Sequence, residues 1–175
     1  KAEVVCKKEL FIPKFKEERE NGVMHPDALD STRFRFVDEV TELCPGVFVF
    51  PRLAIADEED THFEPFFTLA WGNKQADTFT DELALVLKQG DEVSVLSACS
   101  HRGITNIIRV VQEYFPQTPL KLVLGGFHIR NTAKEKFDVI ARFFEDHLPQ
   151  RLGVCHCTGI DKYALFHQWD RKSVV

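Results

Sequence analysis

The chain has 175 residues, a hydrophobic fraction of 44% and a formal net charge of −5 at pH 7. This length fits a single domain over residues 1–175, or the C-terminal portion of one, with enough apolar side chains to bury a core. The negative charge argues against a nucleic-acid-binding protein, and no apolar stretch is long enough to span a membrane. The five cysteines are odd in number and unevenly spaced, which predicts no disulfide framework. We therefore expect a soluble protein of the cytoplasm.

The first half of the chain predicts short strands separated by loops. Residues 2–6 form an apolar run typical of a strand, and the charged segment 7–22 is predicted to be partly helical. Alternating aromatic and charged residues at 32–40, followed by an apolar run at 46–51, predict two half-buried strands. Segment 51–79 is rich in acids and prolines, and it predicts a long surface loop with at most one strand.

The second half predicts a hairpin followed by helices. Residues 81–99 contain two apolar runs around Lys88-Gln89-Gly90-Asp91, which predicts a β-hairpin. Apolar residues that recur on one stripe predict helices at 103–115 and 131–147, and a shorter helix is predicted at 159–169. In the second of these helices, Thr132 and Glu135 have the spacing of a capping box.

Three apolar runs in this half each end in a polar turn that carries a histidine. These histidines are His101, His128 and His156, which lie 27 and 28 residues apart. Because each run is short and precedes a helical pattern, the segment predicts strand, loop and helix three times over. Sheets of this kind bind ligands beyond the carboxyl ends of their strands. A single such histidine is more often a hydrogen-bonded loop residue, but three at matched positions indicate a metal centre or an acid–base pair.

The turns also carry a resemblance to a known family. The strings Cys99-Ser100-His101-Arg102-Gly103-Ile104, Gly125-Gly126-Phe127-His128 and His156-Cys157-Thr158-Gly159, with Asn106 after the first, resemble in order and spacing the C-terminal half of metallo-β-lactamase-fold proteins. They are most similar to the dihydropterin synthase-like branch, which is related to methanopterin biosynthesis. The resemblance covers roughly residues 80–160.

The resemblance implies an α+β protein with the αββα sandwich of that superfamily and a site for one or two divalent metal ions. Zinc is expected first, with iron or manganese as alternatives, and the implied chemistry is attack of a metal-activated water on a carbonyl or phosphoryl centre. His101, His128 and His156 are the implied metal ligands.

Further expectations concern the substrate. Contacts are expected from Arg102, Ser100 and Thr158, and an anionic group is favoured because Arg102 and Lys162 lie beside the turns. The branch implies a pterin or a phosphorylated ribose as the small anionic substrate.

The sequence departs from the family in one main respect. The string His-x-His-x-Asp-His, which supplies ligands from the N-terminal half of the fold, does not occur. His25 and His62 are isolated, and each is most simply a surface residue. No residue is assigned as the bridging ligand, often an aspartate in the family, because none of the three turns carries an aspartate. We expect the chain to be the C-terminal part of the fold and to need a missing N-terminal segment or a companion chain. Alone, it is expected to hold at most half of a metal site.

Two alternatives remain open at this point. One is a non-catalytic binding subunit or remnant of the fold, with its histidines retained only as hydrogen-bonding loop residues. His156-Cys157 also resembles the start of the phosphatase loop His-Cys-x5-Arg, but Tyr163 stands where the arginine is required. Cys155 is expected in the core, and Cys99 is expected to be a small buried side chain.

Overall fold

The computed structural model describes residues 2–23, 29–70 and 72–169. Within these ranges it contains twelve strands and three α-helices. The strands are β1 (Val4–Cys6), β2 (Lys14–Lys16), β3 (Arg19–Glu20), β4 (Phe34–Phe36), β5 (Thr41–Cys44), β6 (Val47–Phe50), β7 (Phe66–Ala70), β8 (Asn73–Ala76), β9 (Ala84–Gln89), β10 (Glu92–Ser97), β11 (Leu120–Gly125) and β12 (Arg151–Val154). The helices are α1 (Ile104–Tyr114), α2 (Lys134–Asp146) and α3 (Ile160–Trp169).

The principal sheet has six strands in the order β12, β11, β10, β9, β6, β5. The strands β10, β11 and β12 run parallel, whereas β9, β6 and β5 pair as antiparallel neighbours. Parallel neighbours need a crossover connection, and α1 and α2 supply the two crossovers. The predicted threefold succession of strand, loop and helix is confirmed, as is the hairpin at 81–99.

The core lies between this sheet and the helices. One row of apolar residues crosses five neighbouring strands, each residue paired with the next, and so lies on one face of the sheet. The row consists of Phe48, Val86, Val95, Val123 and Leu152. This row belongs to an apolar cluster that includes residues of all three helices. The predicted amphipathic stripes therefore pack where the sequence pattern indicates.

The opposite face of the same sheet remains partly open to solvent. Leu87 and Leu124 point away from the helices and are 38% and 37% exposed. Leu96, which pairs with Leu124, is half-buried. One face of the sheet is thus covered by helices, and the other presents leucines to its surroundings.

One prediction for the first half of the chain is wrong, and another holds in part. Segment 51–79 contains two strands, because β7 and β8 form a hairpin that joins β2 and β3 in a four-stranded sheet. Segment 7–22 is partly helical as predicted, with a 3-10 helix at Lys8–Phe11, but it also contains the two strands β2 and β3. Phe15 stacks on Phe67 across the sheet at 5.3 Å between ring centroids. Such pairing between distant segments overrides local propensity and is invisible to a local pattern.

The capping box is also absent. Ala133 occupies the cap position of α2 without a side-chain hydrogen bond, and the Thr132 hydroxyl donates instead to the carbonyl of Ile129 at 2.8 Å. Among the described residues, no helix combines the length and apolar character needed to cross a bilayer.

Candidate functional site

The loops that follow the three parallel strands meet at one edge of the sheet. Their backbones are joined directly, since the amide of Gly126 donates to Ala98 at 2.9 Å and the amide of Cys155 donates to Gly125 at 3.0 Å. The Thr158 hydroxyl accepts from the amide of Phe127 at 3.0 Å. The sheet therefore brings the three predicted turns together.

His101 is buried between two other rings. It stacks on Phe79 at 3.7 Å between centroids and lies 4.1 Å from His128. Its Nδ1 donates to the carbonyl of His62 at 2.9 Å, and the amide of His62 donates back to the carbonyl of His101 at 2.8 Å. A carbonyl can only accept, so this contact fixes the hydrogen on Nδ1 and leaves a lone pair on Nε2.

His62 was expected at the surface, and that prediction is wrong. The residue is only 7% exposed, and its ring lies 5.8 Å from that of His128. The local sequence does not predict the burial of His62, because its segment is brought to the site by tertiary contacts between residues distant in sequence. His25 lies outside the described residues, and His167 is half-buried on α3 with its ring 6.0 Å from Tyr163.

His128 carries a buried ring nitrogen without a hydrogen-bond partner. That atom is Nδ1, and it is one of four such side-chain atoms among the described residues. Burial, together with His101 and His62, lowers the pKa of His128 to about 4. Burial also lowers the pKa of His101. Both imidazoles are therefore held neutral at physiological pH, which is the form that binds metals.

His156 lies with two cysteines rather than in the histidine cluster. One ligand atom from each of Cys99, His156 and Cys157 lies within 4.8 Å of the other two, and this is the one group of that kind found among the described residues. The three predicted histidines therefore divide, with His101 and His128 beside His62. Two thiols and an imidazole form a donor set that zinc accepts, and the unpaired nitrogen of His128 is a second potential donor, so the residues present fit a divalent metal.

The other cysteines correct the expectations. Cys155 is exposed, so its predicted place in the core is wrong, and Cys99 is half-buried. Burial, with Cys99 close by, raises the pKa of Cys157 to about 12. A cysteine phosphatase needs the opposite shift. Tyr163, at the position of the required arginine, packs against the core instead.

The three predicted substrate contacts occupy positions inside the loops. Ser100 and Thr158 are 0% and 1% exposed, and their hydroxyls bond to Ser97 and to the amide of Phe127. The Arg102 guanidinium donates to the carbonyls of Leu53 and Thr78, at 2.7 and 2.6 Å. These bonds support the turns, and the substrate-binding roles stay predictions.

Glu82 is a functional candidate that the sequence did not reveal. One of its carboxylate oxygens accepts from the amide of His101 at 2.7 Å, and the other accepts from the amide of Arg102 at 2.8 Å. Burial raises its pKa to about 7, although both amide bonds act in the opposite direction. Glu82 thus fixes the turn that carries His101.

An open cleft of about 890 Å³ lies over the meeting point of the loops. His62, His128, His156 and Cys157 line it, whereas Arg102 does not. Its wall also carries three cationic side chains and one acidic one, namely Lys16, Arg130, Lys136 and Glu64. The cleft therefore combines potential metal donors with an excess of positive charge.

The chain is similar to two proteins of Methanocaldococcus jannaschii. It is 26% identical over 129 residues to 7,8-dihydropterin-6-methyl-4-(beta-D-ribofuranosyl)-aminobenzene-5'-phosphate synthase, a match that covers 71% of this chain and 43% of that protein. It is 24% identical over 166 residues to an uncharacterised protein, with 89% and 58% covered. The chain spans about half the length of these curated relatives. No protein-family model matches it.

A solved structure gives the deciding comparison. It is the crystal structure of a metal-dependent hydrolase of the β-lactamase superfamily, which matches with a TM-score of 0.83 and 27% identity over 99% of this chain and 67% of that one. The chain therefore has a metallo-β-lactamase-like fold. The expected resemblance and the α+β fold class are thereby confirmed, and the pterin-related relative agrees with the expected branch.

Proposed function

We propose that this metallo-β-lactamase-fold protein is a metal-dependent hydrolase that acts on a small anionic substrate in the 890 Å³ cleft. The observation that carries the proposal is the meeting of His128, His156 and Cys157 at the carboxyl ends of three parallel strands, on the wall of that cleft. A divalent metal bound there lowers the pKa of a coordinated water and polarises a carbonyl or phosphoryl group.

His101, His128 and His156 are the histidines proposed to hold one or two metal ions, with His101 and His128 contributing from the histidine cluster and His156 from its group with Cys99 and Cys157. His101 offers the lone pair on Nε2, and His128 offers its unpaired Nδ1. Both rings are held neutral by burial, so no proton has to be displaced before either nitrogen coordinates. Zinc suits these nitrogen donors, with iron and manganese as alternatives.

The charge of the cleft supports an anionic substrate. The residues that line the cleft include three cationic side chains and one acidic side chain, namely Lys16, Arg130, Lys136 and Glu64. Arg130 is held in place because its guanidinium donates to the carbonyl of His156 at 3.1 Å. A planar guanidinium beside a candidate metal ligand suits a phosphate or carboxylate. The relative whose name includes a 5'-phosphate favours a phosphorylated ribose or pterin compound.

We further propose that a second segment, in the same protein or in a companion chain, completes the site. The sequence lacks the His-x-His-x-Asp-His string that the family resemblance leads us to expect. Leu87 and Leu124 leave one face of the principal sheet open, and a second layer of the αββα sandwich would cover it.

Hydrolysis assays with chelation test the proposal. The protein is screened against phosphodiesters, phosphomonoesters and carboxylic esters before and after chelator treatment, and again after zinc is restored. His156→Asn is the informative variant, because His156 has a φ of +50° and asparagine tolerates that conformation better than alanine. We expect chelation and His156→Asn each to lower kcat/KM by about 100-fold, and His167→Asn on α3 to have no effect. Activity that survives both treatments would contradict the proposal.

The alternative is a non-catalytic binding subunit of the fold. It is favoured by the absence of the N-terminal metal string from the sequence. If no substrate class is hydrolysed but inorganic phosphate binds the cleft with an affinity that falls in Arg130→Gln, the binding role replaces the enzymatic one.

A further inference from the structure

Cys99, His156 and Cys157 form a compact cluster although they come from two separate loops. Cys99 follows β10, and His156 and Cys157 follow β12, with β11 lying between those strands. One ligand atom from each lies within 4.8 Å of the other two. The Cys157 thiol also points back to the carbonyl of Cys99, with Sγ 3.8 Å from the oxygen.

Several local features of the fold restrict the positions of these side chains. Gly126 sits so close that a Cβ there would lie 2.6 Å from Sγ of Cys157. Burial, with Cys99 close by, raises the pKa of the Cys157 thiol to about 12, and the backbone amide of His128 acts in the opposite direction. His156 adopts a φ of +50°, a conformation that an L residue rarely takes, and Arg130 bonds to its carbonyl. The cluster is thus fixed from several sides.

We propose that Cys99, His156 and Cys157 bind one soft divalent cation of the zinc class through two thiolates and one imidazole. Three protein ligands with a further position open to a cleft is the arrangement typical of catalytic zinc sites, and both His156 and Cys157 line the cleft. Binding releases the two thiol protons to solvent, and the two thiolates balance the charge of the ion. Thiolates favour zinc, cadmium or cobalt over magnesium and manganese.

This site does not depend on the proposed hydrolysis, because a cation binds these donors whether or not the cleft turns over a substrate. It also differs from the histidine set of the proposed function, since it shares only His156 with that set. The sulfur ligands give it a spectroscopic signature of its own.

Cobalt titration of the purified protein tests the site. Cobalt bound to thiolate gives a charge-transfer absorption band in the near ultraviolet, which nitrogen and oxygen ligands do not give. We expect one equivalent to bind, and Cys99→Ser and Cys157→Ser each to weaken the band and lower the affinity by about tenfold or more. Cys155→Ser is the matched control, because Cys155 lies in the same loop as Cys157 but is exposed. No band in the unmodified protein, or an unchanged band in Cys99→Ser, would overturn the proposal.

A measurement on the unmodified chain guards against variants that fail to fold. Zinc should protect Cys99 and Cys157 from alkylation while the exposed Cys155 and Cys44 continue to react. Equal alkylation of all four with and without zinc would refute the site. Protection without any hydrolysis, either by this chain or by the protein that includes the completing segment, would refute the proposed enzyme function and leave the metal site standing.

Discussion

Asp60 and Thr105 are joined by two buried hydrogen bonds, in which the amide and the hydroxyl of Thr105 both donate to Oδ2 of Asp60 at 2.8 Å. The other carboxylate oxygen lies 3.3 Å from Nε2 of His62, and Asp60 is 0% exposed. The pair therefore links the start of α1 to the segment that carries His62 into the cleft.

Replacing Asp60 by alanine should destabilise the protein strongly. The change leaves the amide and hydroxyl of Thr105 buried without an acceptor, and it removes the partner of His62 Nε2. Each unpaired buried group costs about 1–3 kcal/mol, and we expect a loss of about 2–4 kcal/mol in the free energy of unfolding, measured in urea. Asp57→Ala is the control, since the Asp57 carboxylate accepts the exposed amide of Glu59 and the substitution keeps the Asp57 backbone carbonyl that accepts from Asn106. Equal losses in the two variants would contradict the buried role of Asp60.

Two buried ionisable groups, His128 and Glu82, should change the free energy of unfolding with pH in opposite directions. The pKa of His128 is lowered by burial from 6.5 to about 4, so the unfolded chain binds more protons between those pH values. The contribution of His128 to stability is therefore present above pH 6.5 and is lost as the pH falls toward 4. The pKa of Glu82 is raised by burial from 4.5 to about 7, so its contribution is present below pH 4.5 and is lost as the pH rises through 7.

His128→Asn should therefore change the slope of stability against pH. In the unmodified protein the stabilising contribution of His128 increases with pH. Without it, the free energy of unfolding should increase less, or fall more, between pH 4.5 and 6.5. Urea unfolding at several pH values in the presence of a chelator measures this slope. Asparagine is chosen because position 128 has a φ of +55°. Identical slopes in the two proteins would show that His128 titrates normally.

The sequence predicted the sheet edge better than it predicted the site. The strands before His101, His128 and His156 are short and locally encoded, and parallel pairing then forces their carboxyl ends together. His62 and Glu82 could not be found in this way, because each contacts the turn of His101 from a distant segment. The Glu82 carboxylate accepts the amide of His101, and the His62 amide donates to the carbonyl of His101. The proximity of Cys99 and Cys157 could not be predicted for a related reason. The two residues lie 58 positions apart and meet only when β10, β11 and β12 are in register.

Replacing Thr158 by valine tests whether its hydroxyl stabilises the fold or contacts the substrate. Valine has nearly the same shape but cannot accept the amide of Phe127, which would then be buried and unpaired. We expect Thr158→Val to lower the free energy of unfolding by about 1–3 kcal/mol. Thr41→Val, whose hydroxyl bonds to Glu39 in an exposed turn, should change stability much less. A Thr158→Val protein of unchanged stability but raised KM in the hydrolysis assay would restore the substrate-binding role predicted from the sequence.

Gly126 should control metal binding by the cysteine cluster. An alanine Cβ there would lie 2.6 Å from Sγ of Cys157 and 2.7 Å from the carbonyl oxygen of Ala98, and the backbone oxygen cannot yield as easily as the sulfur. We therefore expect Gly126→Ala to push Cys157 aside and to lower cobalt affinity by about tenfold or more. Gly153→Ala in β12 is the control, because its new Cβ would meet only the flexible end of Leu124 at 2.6 Å. If Gly126→Ala binds cobalt as tightly as Gly153→Ala does, the position of Cys157 does not determine binding, and the thiolate site is not the one the metal uses.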